Sequence, residues 1–161
     1  MNLRIREANF ADARDADAIV AIIDSYAADP AGGSHALTSD ARERLVPSLR
    51  DHPNTHVLLA VVDDEPVGIA VCFFGLSTFR ARPLLNIHDL AVLPQFRGRG
   101  IGRALLHEVE DHARRKGCCK LTLEVQENNN PARVLYRRFG FADFVVGDLG
   151  ATRFLEKPLE G

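Results

Sequence analysis

The chain has 161 residues, 46% of them hydrophobic and 26% charged, with 20 basic against 22 acidic side chains for a formal charge of −2. That length can bury about two-thirds of the unfolded surface in one core, and the even composition predicts a single domain over 1–161. The charge balance excludes a protein devoted to covering nucleic-acid phosphates. No apolar run approaches the roughly 18 residues of a membrane span, and Met1-Asn2-Leu3-Arg4 lacks a signal peptide's apolar centre. A cytoplasmic protein with no membrane or nucleic-acid partner is therefore expected.

Leu3 to Glu7 alternates apolar and polar residues and predicts a first strand. Asp12 is placed to cap a helix whose apolar face carries Ile19, Val20, Ile22, Ile23 and Tyr26. Asp29-Pro30-Ala31-Gly32-Gly33-Ser34 breaks that helix, and Thr38 or Ser39 caps a second one through Leu49. Val57 to Val62 and Val67 to Phe74 predict two strands joined by a turn at Asp63-Asp64-Glu65-Pro66. Leu84 to Leu93 reads as a fourth strand. Ile101, Leu105, Val109 and Ala113 then recur at helical spacing until Gly117. Lys120 to Val125 predicts a fifth strand, Asn128 to Pro131 opens a short helix that Gly140 ends, and Phe141 to Val146 with Thr152 to Leu159 predict two closing strands. Hairpins followed by a strand-helix-strand crossover imply a mixed sheet with helices on both faces.

Three cysteines, Cys72 and the adjacent Cys118 and Cys119, provide neither a disulfide framework nor paired zinc-ligand spacing. They read as small apolar residues, and no metal site is predicted.

The segment richest in chemistry is Gln95-Phe96-Arg97-Gly98-Arg99-Gly100-Ile101-Gly102, between the fourth strand and the third helix. Glycines permit a tight turn and close ligand approach, and the unbonded N–H groups of a first helical turn, with the helix dipole behind them, favour phosphate. Arg97, Arg99 and Arg103 add positive charge. A kinase-type P-loop needs Gly-Lys-Ser/Thr, whereas Gly102 is followed by Arg103-Ala104. A dinucleotide fingerprint needs a third glycine where Arg103 stands, beside a first strand.

What remains is the pattern Gln/Arg-x-x-Gly-x-Gly/Ala, filled by Gln95, Gly98 and Gly100, and in this the chain resembles the GNAT superfamily of acyl-CoA N-acyltransferases. Downstream, Asn129, Ala132 and Tyr136, followed by Gly140-Phe141, resemble the same family's Asn-x-x-Ala-x-x-x-Tyr motif, and the element order matches over essentially the whole chain. The resemblance implies an α/β (α+β) GNAT fold: a mixed, mostly antiparallel sheet of about seven strands, four helices on both faces, and a splay between the fourth and fifth strands. It implies acetyl-CoA as co-substrate and no metal. Its pyrophosphate would sit on Gln95, Arg97, Gly98, Arg99, Gly100, Ile101, Gly102 and Arg103. Its pantetheine arm would pair with the backbone of Leu90, Ala91 and Val92, as an added strand does, and touch Asn129 and Ala132. Tyr136 would protonate the departing thiolate. Asn129 at a helix start is also a natural cap, and a buried tyrosine is most often a core residue with a satisfied hydroxyl.

The implied reaction is direct attack of an amine on the thioester, which first requires a deprotonated amine. Candidate bases lie in Asn86-Ile87-His88-Asp89-Leu90. Alternation puts Asn86 and His88 on one face and Asp89 on the other, unless a bulge intervenes. His88 ranks first, since an imidazole titrates near neutrality. It stands where polyamine acetyltransferases, a branch this segment resembles, carry a glutamate. Asp89 follows, then Glu124. Acceptor choice is expected in Tyr26 to Leu37 and Phe73 to Pro83, with Tyr26, Phe74 and Phe79 as an apolar wall and Asp24, Asp29 or Asp40 for a cationic amine. A polyamine or other small primary amine is the first expectation for the acceptor. A protein amino terminus or lysine follows, then a coenzyme A-binding module without turnover. The resemblance also admits a homodimer through sheet or helix edges.

Overall fold

A computed structural model describes residues 1–160. It forms two compact units, Met1–Leu123 and Glu124–Gly161, the last residue lying outside the described ones.

The first unit runs β1 (Leu3–Glu7), α1 (Ala13–Ala28), α2 (Ser39–Asp51), β2 (Thr55–Val62), β3 (Glu65–Ser77), β4 (Arg82–Val92), a 3-10 turn at Pro94–Phe96, α3 (Ile101–Arg115) and β5 (Leu121–Leu123). The sheet order is β1-β2-β3-β4-β5. Its first three pairings are antiparallel and β4–β5 is parallel. Asp63 and Asp64 both adopt left-handed backbone (φ +48° and +69°), the conformation that a two-residue hairpin turn requires.

Alternation along β2 and β3 sends side chains to two cores. Val57, Leu59, Val61, Ile69 and Val71 meet Ile19, Ile22 and Ile23 of α1 and Leu49 of α2. The intervening Leu58, Ala60, Ala70 and Cys72 are equally buried, on the face that carries α3 with Leu105, Leu106 and Val109. Each buried aliphatic side chain contributes about 2 kcal/mol, so α1 and α3 are clamped to opposite faces by their apolar stripes. Asp12 caps α1 through Arg14 N–H, and Thr38 caps α2 through Ala41 N–H. Asp15, buried in the first turn of α1, accepts a bidentate pair from Arg6 at 2.7 and 2.8 Å and the Asn9 N–H at 2.8 Å, which locks α1 to β1.

The second unit contains α4 (Asn130–Phe139), capped by Asn129 Oδ1 to Ala132 N–H and ended by Gly140 in the left-handed region.

Two expectations are corrected. Among the described residues the sheet has five strands rather than seven, because Phe141 to Val146 makes only an isolated bridge, Val145 with Ala151, around a turn at Gly147 to Gly150, and Thr152 to Leu159 forms no strand. Phe144, Val145, Phe154, Leu155 and Leu159 stay exposed, so these segments bury too little apolar surface to stabilise a ladder. The expected splay is not shown among the described residues either. β5 is only three residues long, and its ladder with β4 (Leu85–Leu121, Asn86–Thr122, Ile87–Leu123) stops where β5 stops.

Candidate active site

β4 carries the titratable pair and runs directly into the glycine turn. Its pairing with β3 is regular from Ser77–Arg82 to Cys72–Ile87 and resumes at Val71–Asp89, which leaves His88 as an extra residue. This bulge changes the facing of everything beyond it. Asn86 is opposite Phe73 and Asp89 opposite Val71, and both Phe73 and Val71 belong to the core that meets α1 and α2. The His88 ring lies edge-on to Phe73 at 5.5 Å, on that same side. Asn86, His88 and Asp89 therefore share one face, where strict alternation would have sent Asp89 to the other.

His88 is exposed and Asp89 half-buried. Burial pushes the Asp89 carboxyl above the ordinary carboxylate range, and the adjacent His88 opposes the shift. Neither Asp89 oxygen has a hydrogen-bond donor among the described residues. Tyr26 of α1 borders the same core, and its hydroxyl is pushed up by burial and by the charges of Asp89 and Asp29. Asn86 Nδ2 donates to Thr122 Oγ1 at 3.0 Å and thereby fixes β4 to β5 beneath the bulge.

At the end of β4, Gly98 and Gly100 adopt left-handed backbone (φ +75° and +79°), with no atom within 4 Å of where a Cβ would stand. The N–H groups of Phe96 and Arg97 are spent on Leu93 and Pro94 carbonyls. Those of Gly98 through Arg103 find no acceptor among the described residues, until Ala104 N–H closes the first helical bond to Gly100. A row of free donors at a helix start with nothing over the glycines fits a pyrophosphate. Gln95, Arg99 and Arg103 are exposed around it. Arg99 lies over the Phe96 ring at 5.3 Å, and Arg103 Nε is 3.4 Å from His107. Arg97 points elsewhere: its Nε donates to Val92 O at 3.1 Å and its Nη1 to Asp29 at 3.0 Å. Ile101 is buried under the turn, and Ala91 is buried opposite Ile69, with Leu90 and Val92 half-buried beside it.

In the second unit, Asn129, Ala132 and Tyr136 are half-buried on α4. The Tyr136 carbonyl accepts the Gly140 and Phe141 N–H groups, and its ring meets Phe141 edge-on at 5.8 Å. Glu124 lies past the end of β5 and is exposed.

The expected acceptor wall is rearranged. Phe74 lies on the α3 side, near His56 and His112, and Phe79 is 94% exposed. Phe73, one residue earlier, joins Tyr26 on the face of Asp89. The acidic candidates are already engaged: Asp24 with Arg42 and the Leu37 N–H, Asp29 with Arg97, Asp40 with Arg44. Asp89 was singled out as a base, and it is also the carboxylate on this face with no partner of its own.

A cluster that the spacing in sequence hides is Glu7, His56 and His112, whose ligand atoms lie within 4.8 Å of one another. The two imidazoles are stacked, 3.5 Å between centroids and 7° between planes. Lone pairs lie in the ring planes, so two parallel rings do not converge on one ion, and the stack reads as packing. The cysteines are free, and burial pushes the Cys72 thiol up to about 12, in keeping with a packing role.

Residues 16–141 match the model of the acetyltransferase (GNAT) family. The thialysine N-epsilon-acetyltransferase of Bos taurus is 33% identical over 104 residues, 60% of this chain and 61% of that protein. The streptothricin acetyltransferase of Streptomyces lavendulae is 50% identical over 58 residues, 36% of this chain and 31% of that one. The chain thus matches less than two-thirds of the length of either relative. Among solved structures, an aminoglycoside N-acetyltransferase in complex with CoA superposes with a TM-score of 0.74 at 16% identity, over 98% of this chain and 94% of that one, a likeness of fold. The family match covers most of the chain and includes both the glycine turn and Tyr136, and on that ground the protein is a member of the acetyltransferase (GNAT) family.

Proposed function

We propose that this protein is an N-acetyltransferase that moves an acetyl group from acetyl-CoA to a primary amine by direct attack. The observation that carries the reading is the half-buried, unpartnered Asp89 on the strand that leads into the open row of N–H donors at Gly98 to Arg103. Donor chemistry and proton chemistry meet on one strand. The pyrophosphate is assigned to the N–H groups after Gly98, and the pantetheine arm to the backbone of Leu90, Ala91 and Val92. Asp89 takes the proton of the incoming ammonium, with His88 beside it as the exposed outlet. Its raised basicity matches it to that proton better than an ordinary carboxylate. The amine nitrogen then bonds to the acetyl carbonyl carbon, the carbon–sulfur bond breaks, Tyr136 supplies a proton to the sulfur, and the second proton shed by the nitrogen as the amide forms restores the Tyr136 phenol.

The acceptor is assigned to small cationic amines, polyamines first. The Asp89 carboxylate shares its face of the sheet with Phe73 and Tyr26, which offers a charge and aromatic rings to an ammonium group. The names of the bovine and streptomycete relatives, thialysine and streptothricin acetyltransferases, point the same way. A protein lysine or amino terminus is the second reading.

The test is release of free thiol from acetyl-CoA across a panel of polyamines, amino acids, aminoglycosides and lysine peptides. Sustained turnover with a small amine supports the proposal. Tight acetyl-CoA binding with no turnover on any amine would make the protein a coenzyme-binding module instead.

A further inference from the structure

We infer that Arg97 is a positioning residue: through Asp29 it ties the turn that receives acetyl-CoA to the connector between α1 and α2, so that the donor loop orders the acceptor side. This rests on the acetyltransferase reading for the identity of the two ligands, while the tie itself is a matter of geometry.

Arg97 stands within the glycine turn, yet its charge is turned away from the free N–H row. Its Nε is held by Val92 O at 3.1 Å and its Nη1 by Asp29 Oδ2 at 3.0 Å. Asp29 is the hub of the connector that follows α1. Its N–H donates to Tyr26 O, its Oδ1 accepts Ala31 N–H at 2.9 Å, and its carbonyl accepts the N–H groups of Gly32, Gly33 and Ser34. The connector is drawn so tightly onto α1 that a Cβ on Gly32 would lie 1.9 Å from Tyr26 O. Arg97 thus holds the residue that organises 29–34, and that segment continues directly from Tyr26, which borders the face of Asp89. Partly exposed ion pairs contribute little to overall stability; the side chains here are 45% and 21% exposed. The consequence of the pair is therefore local order.

A pyrophosphate ligand and a strut make opposite predictions for Arg97→Ala. Amide hydrogen exchange is followed at Gly32, Gly33 and Ser34, with α3 core amides as the control for folding, and acetyl-CoA affinity is measured by calorimetry. The strut predicts exchange at 32–34 faster by tenfold or more, α3 unchanged, and acetyl-CoA affinity within about threefold of the native protein. Gly32→Ala, which touches no charge, speeds exchange in the same segment. With the amine found in the turnover panel, Arg97→Ala raises KM and leaves kcat in place. Unchanged exchange at 32–34, or an affinity loss of tenfold or more, overturns the strut and returns Arg97 to the pyrophosphate. If native protein binds no acetyl-CoA, the acetyltransferase reading fails by itself, and the exchange measurements still decide whether the tie exists.

Discussion

His88 and Asp89 are consecutive residues that lie on the same face of the sheet, because the β4 bulge leaves His88 between the pairs Cys72–Ile87 and Val71–Asp89. Two titratable side chains are thereby brought to one face, His88 exposed and edge-on to Phe73, Asp89 half-buried opposite Val71. Bulges commonly re-aim side chains at functional sites, and this one supplies a carboxylate with reduced hydration beside a group in contact with solvent.

Asp89→Asn is expected to lower kcat/KM by about 10²–10³-fold while leaving acetyl-CoA affinity unchanged, the range for loss of a general base. Since the Asp89 carboxyl is raised by burial, the native enzyme loses activity on acidification at a higher pH than an ordinary carboxylate would dictate. That acid limb disappears in the variant. Steady-state rates from acid to neutral pH check both points, and a rate within threefold of native would return the role to His88 or to water.

Local patterns were legible in the sequence and register was not. The caps at Asp12, Thr38 and Asn129, the stripe of α3 and the open glycine turn depend on residues within one or two turns, and all stand as read. Phe73 faces α1 by plain alternation with Ile69 and Val71, whereas Asp89 joins His88 only through the β4 bulge, and a one-residue slip reverses every facing beyond it. The Arg97–Asp29 pair joins positions 68 apart and leaves no trace in local spacing. The two closing strands failed for another reason. Their alternation is real, but alternation predicts a strand only where a sheet is present to receive it.

Gly100 separates backbone strain from charge. Its φ of +79° costs any L-residue about 1–2 kcal/mol, and a Cβ there meets no neighbour. Gly100→Ala should therefore lower the melting temperature slightly and keep acetyl-CoA affinity within a few fold. Gly100→Asp, similarly strained but carrying a negative charge at the open N–H row, should weaken binding by 100-fold or more. Calorimetric titration of both variants checks this, and equal affinities would remove pyrophosphate from the turn.

The His56–His112 stack predicts how stability responds to acid. Burial, the neighbouring His112 and the charges of Lys116 and Arg115 lower His56 to about 4, against the opposing pull of Glu7. His112 is lowered too, chiefly by burial. Both rings are neutral in the fold, so the unfolded chain takes up more protons between the ordinary histidine value and that lowered one. Stability is fully present above about pH 6.5 and is lost as pH falls toward 4, by on the order of 2–3 kcal/mol for His56. The buried Nε2 of His56 has no hydrogen-bond partner among the described residues, so an apolar ring sacrifices little there. Urea unfolding at pH 7 and 4.5 should show His56→Phe losing distinctly less stability on acidification than the native protein. Equal losses would mean that the stack does not titrate.

Tyr136→Phe isolates the hydroxyl from the ring. The Tyr136 carbonyl holds the end of α4 through Gly140 and Phe141, and the ring packs edge-on against Phe141. Both contacts survive the substitution, so the end of α4 and its packing on Phe141 should be retained. If the phenol protonates the coenzyme A thiolate, kcat falls by about 10²-fold with acetyl-CoA affinity intact. The loss should also be smaller for an acyl donor whose thiol is more acidic, because such a leaving group needs less help. Turnover with acetyl-CoA and with an acetyl thioester of an acidic thiol, compared in native and variant enzyme, distinguishes these cases. Unchanged kcat with both donors would assign Tyr136 to packing alone.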